Sequence, residues 1–491
     1  MSDDICLLKW QKSFKEQALE DAKQIAETGE CNYAGLFLVG PPGTGKSYAL
    51  NDFVSTIRSL YPGLKIAMTA TTGAASTRLN DAKTLATFLR IGGDSMKMHL
   101  HDEILRIIES RDPETIRETD ILIIDESSML GVTSYNNLDL CFKRVRKDPR
   151  PFGGMYIIFV GDPFQLPPVP QDSGGGIGRN TLTPVDSCLQ SQYAGFRYVV
   201  ANEMKRSEDS AVLQNTLLQF ISPSPVVRNA AVLSMREHSY KGEMTIEQVL
   251  DYQQETGATI LSRARLGDYG VENFNECAKA RAKDQAGYTE LPIAPVKQLH
   301  DSEDKEILKA IGGPRALAAE EDALKKRDSW TTEPHLCTKL PYMVRMKVDC
   351  DGNILVNGDM VEVLSVNNDQ SVIVYSLRLK KKMVITRQVF KSEWVPAIAY
   401  EGYPLLPCSA MTVHKAQGAT LEAGIIFDPR RGPNYDEYLA HALYTAFSRV
   451  KRIEDIRLTS YLSPLLDHPK IQAKLDYTWK LRYMKDYLRP T

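Results

Sequence analysis

Cysteine is too scattered in this sequence to organise it. Cys6, Cys31, Cys141, Cys188, Cys277, Cys337, Cys350 and Cys408 form no C-x-x-C pair and no dense segment. Zinc sites built on paired cysteines and the disulfide frameworks of small secreted domains are both excluded, and the thiols read as reduced structural groups. Long apolar runs are missing as well: no stretch approaches the ~18 apolar residues of a membrane span. The amino-terminal MSDDICLLKWQKSFKEQ is too interrupted for a secretory signal and too acidic for a mitochondrial presequence. The expectation is an intracellular, soluble protein with no membrane partner. Neither sign of charge prevails, with 60 Lys and Arg against 62 Asp and Glu and a net charge of −2. No global basic field points to a polyanion, so a nucleic-acid site has to be local. Repeats of the solenoid kind are absent, and residues 171–180, with Gly174-Gly175-Gly176 inside them, read as a flexible connection rather than a phosphate loop.

What remains is an ordinary globular chain of 491 residues, 43% hydrophobic and 25% charged, long enough for two to four domains. Its first strong signal is the apolar run Gly35 to Val39, then Gly40-Pro41-Pro42-Gly43-Thr44-Gly45-Lys46-Ser47, then a helical pattern from Tyr48 to Leu60. Strand, glycine loop and helix in that order match G-x-x-x-x-G-K-[ST]. Backbone N–H groups and the helix N-terminus cradle phosphates, Lys46 reaches the β- and γ-phosphates of ATP, and the Ser47 hydroxyl ligates Mg²⁺.

A second apolar run, Ile121 to Ile124, ends in Asp125-Glu126. Four consecutive branched or leucine residues suit a strand buried on both faces of a parallel sheet, at whose C-terminal end ligands collect. Asp125 there is placed to hold Mg²⁺ and Glu126 to polarise the attacking water. A third strand, Met155 to Val160, runs into Gly161-Asp162-Pro163-Phe164-Gln165-Leu166-Pro167-Pro168. Gln165 reads either as an amide that reports γ-phosphate loss or as part of a proline-bounded loop. His99 and His101 offer metal-ligand types, but they share a face only on a strand, while the following ILRII looks helical, so a metal site is discounted.

These residues resemble the superfamily 1 DNA helicases, and within them the Pif-type group beside the RecD-like enzymes. Thr69-Ala70-Thr71-Thr72-Gly73-Ala74-Ala75 is similar to motif Ia, and Thr84-Leu85-Ala86-Thr87-Phe88 to the next DNA-contacting segment, with Ala86 where the family has a histidine. Asp125 to Met129, a helix to Arg146, Pro151-Phe152-Gly153-Gly154 and the GDPFQLPP loop resemble the stretch that separates the Pif-type group from RecD. Lys205-Arg206 looks like motif IV, Leu355 to Asp359 like the strand before the accessory domain, Thr412-Val413-His414-Lys415-Ala416-Gln417-Gly418 like motif V, and Tyr444 to Arg449 like motif VI.

The resemblance implies an α/β protein with two RecA-like P-loop lobes. Residues 1–195 would form the first lobe with a small wedge insert at about 77–105, 196–339 and 399–491 the second, and 340–398 an SH3-like β-rich insert. In that insert Ile373, Tyr375, Leu377 and Leu379 alternate before Lys380-Lys381-Lys382, which reads as a hairpin with a basic tip. Residues 301–328, rich in Asp, Glu and Lys, match no motif. The hydrolysis site would comprise Lys46, Asp125, Glu126, Gln165, Arg206 and Arg449, with Gln17 reading adenine and Gly418 beside the nucleotide. Thr69, Thr72, Gly73, Thr84, Phe88, Thr412, His414 and Lys415 would contact single-stranded DNA. The implied activity is ATP- and Mg²⁺-dependent, 5′-to-3′ movement on single-stranded DNA with unwinding of tailed or forked duplex by a monomer, in replication, recombination or repair. The alternatives are an RNA helicase or a translocase that separates no strands, then a P-loop assembly switch, then a non-enzymatic binding module.

Overall fold

The computed structural model describes residues 7–90, 108, 113–167, 195–202, 211–285, 287–311, 313–326, 331, 334–391, 397–430 and 439–462. Arg206, His99, His101, the 171–180 loop and most of the expected wedge lie outside them. The described chain divides into two compact units, one drawn from Met1–Glu243, Ala416–Ile425 and Pro433–Thr491, the other from Met244–Lys415 and Ile426–Gly432. No helix among the described residues is long and apolar enough to cross a membrane.

The first unit is built on six parallel strands: β1 (Gly35–Val39), β2 (Ile66–Ala70), β3 (Lys83–Thr84), β4 (Ile121–Asp125), β5 (Tyr156–Gly161) and β6 (Phe196–Val200). They lie in the order β3-β2-β4-β5-β1-β6. Every residue of β1, β4 and β5 is buried, as continuous apolar strands demand when both faces of the sheet are covered. One face takes α1 (Lys9–Thr28) and α2 (Lys46–Leu60), whose Phe14, Ala18, Phe53 and Ile57 pack on Leu36, Leu38, Ile121 and Ile158. Phe14 meets Phe53 edge-on at 5.5 Å. The other side gathers aromatic rings, with Phe37 stacked on Phe159 and Phe152 edge-on to both Phe159 and Tyr135. Because β4, β5 and β1 are parallel neighbours, the glycine loop, the acidic pair and the GDPFQ loop all emerge at one edge of the sheet.

The unit boundaries follow contact rather than chain order. The helix Leu439–Phe447, which sequence order groups with the second lobe, lies in the first unit and sets Phe447 against Phe220 of the helix Ala211–Phe220.

The second unit pairs the parallel strands Thr259–Ser262 and Ala410–Thr412. The helix Ile246–Thr256 begins with a Thr245/Gln248 capping box and ends at Gly257 in the left-handed region, which marks its limits. A five-stranded antiparallel sheet runs in the order Lys381–Ile385, Val372–Ser376, Met360–Val366, Pro341–Val344, Leu405–Pro407. The expected hairpin is present. Val372, Val374, Met383 and Ile385 enter the core, while Ile373 and Tyr375 are only half-buried. Both faces of this strand are apolar, so alternation alone does not choose the inner one. Lys380 stands in the turn at φ 53°, whereas Lys381 and Lys382 pair with Ser376 and Tyr375 inside the ladder. Residues 301–328 supply the helices Lys305–Ile311 and Pro314–Lys326, whose Ile307 and Leu317 pack on Ile398 and Tyr400.

Candidate active site

The glycine loop turns from β1 into α2 through Gly43 at φ 82° and Gly45 at φ 89°, a backbone conformation that L side chains rarely adopt. This leaves the N-terminus of the fifteen-residue α2 open for an anion. Lys46 folds over the loop, its Nζ donating to the carbonyls of Gly40 at 2.7 Å and Pro41 at 2.8 Å. Burial lowers its pKa, and the nearby carboxylates of Asp162, Glu126 and Asp125 oppose that shift. The Thr44 hydroxyl donates to Pro41 O and stiffens the turn.

Asp125 ends β4 and is buried, its Oδ1 accepting from the Glu126 N–H at 2.8 Å. Burial, and then the Glu126 charge, push its carboxyl up to about 6, while Arg78 and Lys46 draw it down. Glu126 sits in the left-handed region at φ 54°, which is unfavourable for a residue with a side chain. Thr71 holds it there, its hydroxyl donating to Glu126 O at 3.0 Å and its N–H to Asp125 O at 3.1 Å.

The loop after β5 is fastened to the helix Leu439–Phe447. Asp162 accepts from the Phe164 N–H at 3.0 Å and from the Tyr444 hydroxyl at 2.6 Å, and the Leu166 N–H donates to Thr445 Oγ1 at 2.8 Å. Gln165 is thereby buried with its Oε1 lacking a hydrogen-bond partner among the described residues, and so is Gln417. An unpaired buried amide oxygen costs free energy unless a ligand or water meets it. Arg449 follows the same helix, its guanidinium donating to Thr445 O at 2.9 Å, Ser448 Oγ at 2.7 Å and Ala419 O at 3.3 Å.

These groups converge on one cleft of about 250 Å³ lined by Lys46, Ser47, Asp125, Glu126, Gln165 and Arg449, among others. Five of the six expected hydrolytic residues therefore share one cavity. The sixth, Arg206, lies outside the described residues.

Other expected site residues stand elsewhere. Gln17 points back along α1 to bond Ser13, whereas Gln11 is buried and places its Nε2 3.1 Å from where a Cβ on Gly45 would lie. The glutamine beside the phosphate loop is thus Gln11. Helical spacing does not separate the two, since Gln11 borders the buried Phe14 and Ala18 and Gln17 borders the buried Phe14 and Asp21. Thr69 is fully buried and donates to Ile123 O at 2.7 Å, so its hydroxyl ties β2 to β4 and is closed to DNA. Phe88 is likewise packed inside, with Lys83 over its ring, and Gly73 is buried; neither offers a surface for a base. Thr72 and Thr84 cap short helices, accepting from the N–H of Ala75 and Thr87, and Thr412 accepts from the Lys415 N–H. His414 is half-buried and Lys415 exposed. Sequence reading missed Arg78, which lines the cleft, and the Asp162–Tyr444 bond; both are long-range meetings that no local pattern encodes.

A parallel sheet with a phosphate loop, an acidic strand end and an arginine lining one cleft has the architecture of a P-loop nucleotide site. A model of the PIF1-like helicase family matches residues 11–191. The ATP-dependent DNA helicase Pif1 of a Psychrobacter strain is 25% identical over 471 residues, covering 89% of this chain and 67% of that one. The ATP-dependent DNA helicase PIF1 of Saccharomyces cerevisiae is 34% identical over 174 residues, but these cover 34% of this chain and only 18% of the yeast protein. The crystal structure of Pif1 helicase from Candida albicans superposes with a TM-score of 0.69 at 19% identity, covering 99% of this chain and 100% of that one, which establishes the shared fold. Over residues 11–191 the chain is thus similar to the PIF1-like helicases, and it shares their fold along its length.

Proposed function

We propose that this chain is an ATP-dependent DNA helicase that moves 5′ to 3′ on single-stranded DNA and displaces the complementary strand of tailed or forked duplex. The observation that carries the reading is the convergence of Lys46, Asp125, Glu126, Gln165 and Arg449 on one cleft beside the α2 N-terminus. The loop N–H groups and Lys46 bind the phosphates, Glu126 orients and polarises the attacking water, and the Arg449 guanidinium neutralises charge that develops on the transferred phosphoryl group. Gln165 and Gln417, each with an unpaired buried amide oxygen, are placed to sense whether water and γ-phosphate are present.

The donor set suits magnesium. No group of three or more His, Cys, Asp or Glu side chains able to hold a metal occurs among the described residues. One hydroxyl from Ser47 and one carboxylate from Asp125 match an ion that takes few protein ligands and completes its shell with phosphate and water. When bound, Mg²⁺ would neutralise phosphate charge. Gln11 takes the adenine-reading role expected of Gln17. Thr72, Thr84, Thr412, His414 and Lys415 remain the residues proposed to contact DNA, and the acting species is proposed to be a monomer.

ATP hydrolysis by the purified chain should rise severalfold with single-stranded DNA, rise less with RNA, and vanish in Lys46→Ala. Equal stimulation by RNA would move the reading to an RNA helicase, and indifference to both polymers would leave an ATPase without a nucleic-acid track.

A further inference from the structure

Arg78 is half-exposed at the rim of the cleft and belongs to none of the motifs read from the sequence. Its Nη2 lies 3.4 Å from Glu126 Oε1 and also donates to the carbonyl of Gly418. One guanidinium nitrogen therefore touches both the carboxylate proposed to polarise water and the last residue of the Thr412–Gly418 segment.

Gly418 is shaped for this approach. It sits at φ 81°, and a Cβ built there would lie 3.1 Å from Thr72 Oγ1 and 3.4 Å from Arg78 Nη2. Two residues from the segment after β2 thus close on a bare backbone position. The Gln417 amide beside it donates to Ser128 Oγ at 3.5 Å, so the stretch after the acidic pair is also in contact with this strap. As a solvent-screened ion pair, Arg78–Glu126 would contribute little to stability. Its geometry matters more, because a fixed guanidinium plane cannot follow Gly418 without changing the position or charge environment of Glu126.

We propose that Arg78 is a positioning residue that couples the Glu126 carboxylate to Gly418, so that the hydrolytic rate responds to nucleic acid held by the preceding residues Thr412, His414 and Lys415. The proposal rests on the nucleic-acid-stimulated ATPase reading given above. Arg78 need not touch ATP; it acts through Glu126.

The test measures steady-state ATP hydrolysis by the full chain with and without saturating oligothymidine, in wild type, Arg78→Ala and Arg78→Lys. In Arg78→Ala the stimulated rate should fall about tenfold more than the basal rate, a coupling of ordinary size between two sites. The KM for ATP should change by less than about threefold, since no substrate contact is removed. Arg78→Lys should recover part of the stimulation, because a lysine keeps the charge but not the fork. Proportional loss of both rates would make Arg78 part of the hydrolytic site itself, and a large rise in KM would make it a phosphate ligand; either overturns the coupling role. Unchanged stimulation in Arg78→Ala, in a preparation whose wild type is stimulated, overturns this proposal alone. A wild type that oligothymidine does not stimulate overturns the functional reading and this proposal with it.

Discussion

Asp125 carries the sharpest electrostatic conflict in the cleft. Burial lifts its carboxyl from 3.8 to about 6, so between those values the folded chain binds a proton that the unfolded chain has released. The group favours the fold in acid, and that contribution disappears as the pH rises through about 6. At neutral pH the ionised carboxylate is therefore a local cost kept for function. Asp125→Asn, which retains the acceptor for the Glu126 N–H, should raise the stability of its unit at pH 7.5 by about 1–3 kcal/mol and leave it nearly unchanged at pH 4. Urea unfolding at the two pH values reads this difference, and a variant less stable at pH 7.5 would contradict it. Arg449 answers to a different measurement. On the proposed mechanism, Arg449→Ala would remove a cation from the developing phosphoryl charge and should lower kcat by about 1,000-fold while single-stranded DNA binding, followed by fluorescence anisotropy, is retained.

The strands and helices around the cleft hold catalytic groups in position through hydrogen bonds that local sequence does not announce. β2 illustrates the point: Thr69 looks like a nucleic-acid contact in its motif, yet the strand buries it and aims its hydroxyl at Ile123 O in β4. Thr69→Val keeps the shape and loses that bond, so it should cost about 1 kcal/mol of stability and leave DNA affinity within twofold. A large loss of DNA affinity with unchanged stability would restore the contact role. At this scale the apolar runs of β1, β4 and β5 were legible because strands buried on both faces read as continuous hydrophobic stretches. The Val372–Ser376 strand was legible as a strand, but its inner face was not, since Ile373 and Tyr375 are as apolar as the valines that enter the core. Gln11 and Gln17 each have core side chains three and seven residues away on α1, so helical spacing alone does not show which glutamine stands beside the phosphate loop. The two helices within 301–328 escaped because their stripes are short and most of their surface is charged.

For the whole molecule, the order of motifs along the chain carried the class of fold and the position of the phosphate site, because each motif is local and keeps its own strand and turn chemistry. It did not carry the meetings between distant segments. The fastening of the Gln165 loop to Tyr444 and Thr445, and the approach of Arg78 to Gly418, join residues hundreds of positions apart. Those are the contacts through which a motor would link hydrolysis to movement. The most direct test of that claim is ATP-dependent strand displacement on two matched duplexes, one with a 5′ single-stranded tail and one with a 3′ tail, with Lys46→Ala as the blank. Displacement of the 5′-tailed duplex alone is the expected result. Displacement of the 3′-tailed duplex alone, or of neither by an enzyme that hydrolyses ATP, would contradict the account.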